Sequence, residues 1–386
     1  MSAQANGGND TYRDMWHSCW SPFQRRALVG TCIPISNYRI SVIAGSHRAS
    51  LTRHQAKALS LLLPHIAKDR RFSALQDYHP PEGPLWARAA VADWLNGVAG
   101  GGDAGRVVLT DGAQHGLACV SRALTQPDDV VLADSITYQG ISALCRSQGV
   151  DLRGVSIDRE GMRPDAFEAA CSTLRPRAVF LVPSLHNPTT VTLSEERRRA
   201  LAAIARRHNV LIIEDDVYRP LLDRAIPSFA TLEPELTVHI SGLSKCIAPG
   251  LRYGFVVAPR AVLGNVAAAL RIDCWSISPL TALVATILLE EGTAKRIIEF
   301  QRGELRRRQA ILRDALSAFD VQTQETSPHA WLHLPEPWRG AAFARACRQR
   351  GVLWDAKPSP MRCVSMWAPR RHPANCARRF RSWPTC

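Results

Sequence analysis

Long apolar runs are missing from this chain. No stretch of about 18 apolar residues occurs among its 386 residues, so a membrane-spanning helix is not expected. The Gly-x-Gly-x-x-Gly turn is absent too, which leaves a nicotinamide-type dinucleotide fold without support. No Cys-x-x-Cys pair occurs, and the eleven cysteines are scattered and odd in number. That pattern argues against a zinc site or a disulfide frame. Cys119, Cys145, Cys171 and Cys347 fall in apolar or helical stretches and read as reduced core residues of a cytoplasmic protein. The first ten residues are polar and rich in Gly and Asn, unlike a signal peptide. Acidic residues are in short supply, 34 against 48 basic ones, for a net charge of +14. The excess is mostly arginine on helix-patterned surfaces such as Glu195-Glu196-Arg197-Arg198-Arg199 and Arg306-Arg307-Arg308. No basic-aromatic platform or recognition-helix pattern accompanies it, so nucleic-acid binding is not expected.

What is present suits a two-domain globular chain, 46% hydrophobic. Residues 1–37 form an N-terminal segment with Trp16, Trp20 and Phe23. Ile40 to Ala44 reads as a strand running into a turn at Gly45. His54 to Leu63 has helical spacing that Pro64 interrupts, and Ala90 to Leu95 reads as a second helix. From Val107 a strand–loop–helix rhythm sets in. Short runs rich in β-branched residues lie at Val107–Leu109, Val130–Leu132, Leu152–Ile157, Ala178–Val182, Val210–Ile213, Val238–Ile240 and Gly254–Val257. Lacking strict alternation, they suit strands buried on both faces, in a parallel sheet covered by helices. Helical patterns follow at Val262–Leu270, Pro279–Leu289 and Ala294–Leu316. Strand patterns at Val321, Ala330–Leu334 and Val352–Leu353, with a helix at Ala341–Arg350, suggest a small α/β domain.

The chemistry-bearing residues collect where the strands of such a sheet end, which is where ligands bind. Lys245 follows the run Leu236 to Ile240, between Ser244 and the Pro249-Gly250 turn, with Arg252 seven residues on. A lysine facing a cavity there is partly desolvated, and its free amine attacks carbonyls. The Ser244 hydroxyl and the Arg252 cation suit a phosphate. Gly112, Ala113 and Gln114 lie between a strand and a helix, where backbone amides and the helix dipole favour an anion. Glu214, Asp215 and Asp216 end another strand and need cationic partners if buried.

His239 to Gly254 resembles the Schiff-base lysine segment of fold type I pyridoxal-phosphate enzymes, the class I/II aminotransferase family. The similarity extends over roughly residues 38–368. It implies an α/β fold: a large domain, 67–290, with a mostly parallel seven-stranded sheet, and a small domain from 38–66 and 291–386. It also implies pyridoxal 5′-phosphate as cofactor. Lys245 would form the Schiff base, Asp215 would pair with the pyridine nitrogen, and Tyr218 and Asn187 would bond the phenolic oxygen. Gly112, Ala113, Gln114, Ser244 and Arg252 would hold the phosphate, and Tyr138 would stack on the ring. Tyr78 would reach the phosphate of a second subunit, making a homodimer with shared sites. Arg362, Asn187 and Gly45 would meet the substrate, with Arg362 gripping its α-carboxylate. The implied reaction moves an amino group from an amino acid to a 2-oxo acid, Lys245 acting as base and then acid.

Three positions depart from the family pattern. Ser46 stands where relatives have a variable residue and His47 where they have proline. Thr190 replaces a glycine, so its turn must avoid positive φ or tolerate strain. Gly242 replaces a serine or threonine three residues before the lysine. The residues equally serve lyases, oxidases or cyclases of the same fold. Trp331-Leu332-His333-Leu334-Pro335-Glu336-Pro337-Trp338 and the spacing are similar to the aminotransferase-like domains of MocR-type regulators, which sense effectors. The N-terminal segment is too short for their DNA-binding domain, so a stand-alone enzyme is the expectation, with a non-catalytic sensor as the alternative. Glu214 and Asp216 are expected to be capping or solvent-facing acids.

Overall fold

The structure is a computed structural model and describes residues 53–96, 102–334, 339–349 and 363–367. Helix α1 spans Arg53–Lys68 and α2 spans Leu85–Asn96. Pro64 lies inside α1 and does not end it, contrary to the expectation from sequence. A proline there forfeits one backbone hydrogen bond, about 3 kcal/mol in a helix interior. Burial of Leu62 and Ile66, on the inward face to either side, offsets that cost.

The rhythm from Val107 gives β1 (Val107–Thr110), α3 (Ala113–Leu124), β2 (Val130–Asp134), α4 (Gln139–Gln148) and β3 (Asp151–Val155). A small hairpin, β4 (Ile157–Asp158) and β5 (Gly161–Met162), precedes α5 (Pro164–Leu174) and β6 (Ala178–Leu181). Then come α6 (Glu195–His208), β7 (Leu211–Asp215), the short α7 (Phe229–Leu232), β8 (Thr237–Gly242) and β9 (Gly254–Val257). Seven of these strands form one sheet in the order β1-β9-β8-β7-β6-β2-β3. The pairs β2–β3, β2–β6, β6–β7 and β7–β8 are parallel, and β9 is antiparallel to both β8 and β1. Six strands therefore end at one edge, and the loops that follow them meet there. All seven runs read as strands from the sequence are strands of this sheet. Leu109, Val131, Phe180, Ile213 and Ile240 are buried within it, as strands covered on both faces require.

Beyond the sheet lie α8 (Arg260–Cys274), α9 (Pro279–Glu290) and the 23-residue α10 (Thr293–Ala315). A second sheet has the order β10-β11-β12, from Val321–Gln322, His329–His333 and Cys363–Trp367, all antiparallel, with α11 (Gly340–Gln349) alongside in the chain. The strand expected at Val352–Leu353 lies outside the described residues. No helix among the described residues is long and apolar enough to cross a membrane. Cys119, Cys145, Cys171 and Cys246 are free and buried, while Cys274 is free and exposed. Burial pushes the Cys119, Cys171 and Cys246 thiols up to about 12, so they stay protonated.

One arginine is placed differently from the expectation. Arg198 is not on the surface of α6 but wholly buried. Its guanidinium donates to the carbonyls of Leu193 (3.1 Å), Pro183 (2.9 Å) and Pro227 (3.3 Å) and to Ser184 Oγ (3.2 Å). It also lies 3.8 Å from Glu214. The planar fork ties both ends of the β6–α6 loop to the loop before α7, which a lysine could not do. Arg198→Met is expected to lower unfolding stability by roughly 3 kcal/mol, because several buried acceptors lose their donor. Chemical denaturation measures this; a loss under about 1 kcal/mol contradicts the tethering role.

Candidate functional site

The loops at the sheet edge bring most of the sequence-derived candidates into one cluster. Lys245 follows β8 in a turn, its carbonyl held by Gln301 Nε2 of α10 at 3.0 Å. Burial holds its amine below the usual lysine range; Arg252 adds to this and Asp215 opposes it. Its Nζ lies 6.0 Å from the ring centre of Tyr218. A lysine poorer in charge is a better nucleophile at neutral pH, as the sequence suggested.

The three acids at the end of β7 divide by partner. Glu214 is fully buried and accepts from the Phe229 and Ala230 amides, at 2.8 and 3.1 Å, and it lies 3.0 Å from His239 Nδ1. Burial works against its charge, but His239, Arg198 and the Phe229 amide hold it below the usual carboxylate range. Asp216 is also fully buried, 3.3 Å from Arg219. Glu214 caps α7, one of the two expected roles, whereas Asp216 does not face solvent, contrary to the expectation. Asp215 is buried with an oxygen, Oδ1, that has no hydrogen-bond partner. Burial, reinforced by Asp216, pushes its carboxyl up to about 7. The Val217 amide, Lys245 and His239 oppose the rise without cancelling it.

Tyr218 opens the turn after β7, buried, its hydroxyl lacking a well-formed hydrogen bond. Burial, then Asp215 and Tyr138, hold its phenol far above the usual tyrosine range, with Asn187 acting in the opposite sense. Tyr218, Asp215, Lys245 and Asn187 thus face one space. Tyr138 caps α4, and its hydroxyl donates to Gln114 Oε1 at 2.9 Å. Burial and Asp215 push Tyr138 up to about 12. Gln114 therefore spends its side chain on orienting Tyr138.

Gly112 caps α3 at φ 81, a conformation other residues avoid. A Cβ there would come within 2.6 Å of the Arg252 guanidinium, so the cation lies directly on the helix start. Arg252 donates to the Asp111 carbonyl at 3.0 Å. Ala113 follows Gly112 in the same turn, and Ser244 adds a buried hydroxyl with no partner. Gly242 is explained by packing. It pairs with Gly254, and a Cβ would meet the Tyr253 carbonyl oxygen at 2.6 Å, so a serine does not fit.

Thr190 adopts φ 68, so its turn takes the strained alternative. Tyr78 is 90% exposed and meets Trp275 edge-on at 6.0 Å, apart from the cluster. Gly45 and Arg362 lie outside the described residues. Of the two buried histidines beside this cluster, His186 belongs to the Asn187-Pro188 turn noted from sequence, and His329 escaped the sequence reading. His186 lies 3.4 Å from Asp134, and His329 contacts both His186 and Tyr218. A histidine opening an apolar strand run was the available signal for His329, since burying it demands a partner.

Known proteins match this chain widely. The family model "Aminotransferase class I and II" matches residues 52–367. An uncharacterized HTH-type transcriptional regulator, YdeF of Bacillus subtilis, is 30% identical over 246 residues, covering 64% of this chain and 53% of its own length. A second such regulator from the same organism is covered to 52%, so the chain spans about half the length of these relatives. The 2-aminoadipate transaminase of Thermus thermophilus is 28% identical over 299 residues, covering 75% of this chain and 74% of its own. The Pyrococcus horikoshii kynurenine aminotransferase structure superposes with TM-score 0.81 at 18% identity, covering 95% and 96% of the two chains, which shows the shared fold.

The Asp215 geometry predicts how stability varies with pH in the cofactor-free protein. Folded Asp215 keeps its proton up to about pH 7, whereas the ordinary value is 3.8. Folding therefore takes up a proton between those values, and stability falls as pH rises through that window, by up to ~4 kcal/mol. Asp215→Asn is expected to flatten this slope in urea unfolding at pH 4 to 7. An unchanged slope contradicts the assignment.

Proposed function

Because this chain belongs to the class I and II aminotransferase family, we propose that it is a pyridoxal-phosphate-dependent aminotransferase. The observation that carries the proposal is the set of buried polar atoms without partners: Asp215 Oδ1, Tyr218 Oη and Ser244 Oγ, around a half-buried lysine. Each such atom is costly unless a ligand satisfies it. A hydroxylated, nitrogen-containing ring with a phosphate arm offers a cation to Asp215, an oxygen to Tyr218 and an anion to Ser244.

Pyridoxal phosphate supplies an electron-withdrawing ring that stores the electrons released when a substrate Cα–H bond breaks. The chain's residues do the rest. Lys245, its amine desolvated at the mouth of β8, would anchor the cofactor aldehyde and would carry the substrate α-proton as base and then acid. Asp215 keeps the ring nitrogen protonated. Asn187 and Tyr218 direct hydrogen bonds at the phenolic oxygen. Tyr138, braced by Gln114, would offer its flat face to the ring. The amides of the Gly112-Ala113-Gln114 turn, with Ser244 and Arg252, hold the phosphate.

The reading extends to a large domain over 67–290, a small domain from 38–66 and 291–386, and a cytoplasmic location. It also includes a homodimer in which the exposed Tyr78 reaches the partner's phosphate. Arg362 grips the substrate α-carboxylate beside Asn187 and Gly45. The relative acting on 2-aminoadipate makes that amino acid the first to test. A second reading, an effector sensor without turnover, is favoured by the regulator relatives.

The test mixes cofactor-loaded protein with 2-aminoadipate and a panel of other amino acids. Loss of the visible band, a pyridoxamine product and release of a 2-oxo acid support the enzyme. Spectral change without a 2-oxo acid supports the sensor. Lys245→Ala is expected to lose at least about 10⁴-fold in rate, since base and covalent anchor vanish together.

A further inference from the structure

The small sheet meets the site at His329, the first residue of β11. The residue is buried, and its Nε2 lies 2.8 Å from the carbonyl oxygen of His186. A carbonyl only accepts, so this nitrogen carries the proton. The His329 ring also meets Tyr218 edge-on, with centroids 5.7 Å apart. Its backbone is fixed from both sides: the amide donates to Ser327 Oγ at 3.2 Å, and the carbonyl accepts from Gln309 Nε2 of α10 at 3.1 Å. The same helix holds the Lys245 carbonyl through Gln301.

The gripped carbonyl belongs to the residue before Asn187. It accepts a second bond from the Thr190 amide at 2.7 Å. Thr190 then leaves the loop in its left-handed conformation, and its hydroxyl donates to the Gln322 carbonyl of β10 at 3.3 Å. Both ends of the 186–190 turn are thus tied to the small sheet. The turn carries Asn187, and the His329 ring also meets Tyr218, the two residues assigned to one ligand oxygen. We propose that His329 is a positioning residue: its Nε2–H fixes the turn and its ring fixes Tyr218, so that Asn187 and Tyr218 aim together.

This proposal rests on the cofactor reading above, and its test separates the two. His329→Gln retains a donor near the Nε2 position. His329→Asn is too short to reach the carbonyl, and His329→Leu removes the donor. In the cofactor-free protein, the backbone N–H groups of 186–187 and 189–192 are expected to exchange about tenfold faster in the Leu and Asn variants, the worth of one buried hydrogen bond. The Gln variant should exchange like the wild type. In the loaded protein, donors to the phenolic oxygen draw charge from it and make the lysine imine less basic. Misaimed donors should raise the pH midpoint of the visible band by about one unit in the Leu and Asn variants, and much less in Gln. Wild-type exchange and midpoint in the Leu variant, or equal shifts in Leu, Asn and Gln, overturn the proposal. A wild-type protein showing no visible band with pyridoxal phosphate overturns the cofactor reading instead, and the exchange rates alone then decide the tie.

Discussion

A carboxylate buried without a cation of its own is the constraint around which this site is arranged. The strand end places three acids in the interior, and the fold neutralises two. Glu214 has His239 and Arg198, and Asp216 has Arg219. Asp215 keeps an unpartnered oxygen, and burial pushes it up to about 7. An acid left like this costs folding energy, and a bound cation recovers it. Burial likewise depresses Lys245 and elevates Tyr218, so desolvation shifts the proton affinity of all three groups.

The sheet explains why these groups converge. Six strands run one way and deliver their loops to a common edge, while β9 returns against β8 and β1. That return brings the lysine-bearing turn back beside the start of α3. The close pairing of Gly242 with Gly254 and the contact of Arg252 on Gly112 both follow from it. A side chain at position 242 would push the strands apart, so the missing hydroxyl there is a packing requirement.

Much of this was legible in the sequence. Short β-branched runs announced all seven strands, because strands buried on both faces cannot hide their apolarity. The strand-end residues, from Gly112 to Arg252, announced the cluster. What stayed hidden depended on how the chain packs in three dimensions. Pro64 is tolerated because Leu62 and Ile66 are buried beside it. Arg198 looked like one more surface arginine until the Pro183 and Pro227 carbonyls closed around it. Glu214 and Asp216 read as capping or solvent-facing acids, and their burial was hidden because their cations come from other elements or a later turn. His329 is 143 residues from the carbonyl it holds, and no local pattern encodes that pairing.

The most direct measurement is borohydride reduction of the protein incubated with pyridoxal phosphate, followed by peptide mass mapping. One phosphopyridoxyl group is expected, on Lys245, with a much weaker signal when Asp215 is replaced by alanine. An unlabelled Lys245, or label spread over surface lysines such as Lys57 and Lys295, contradicts this.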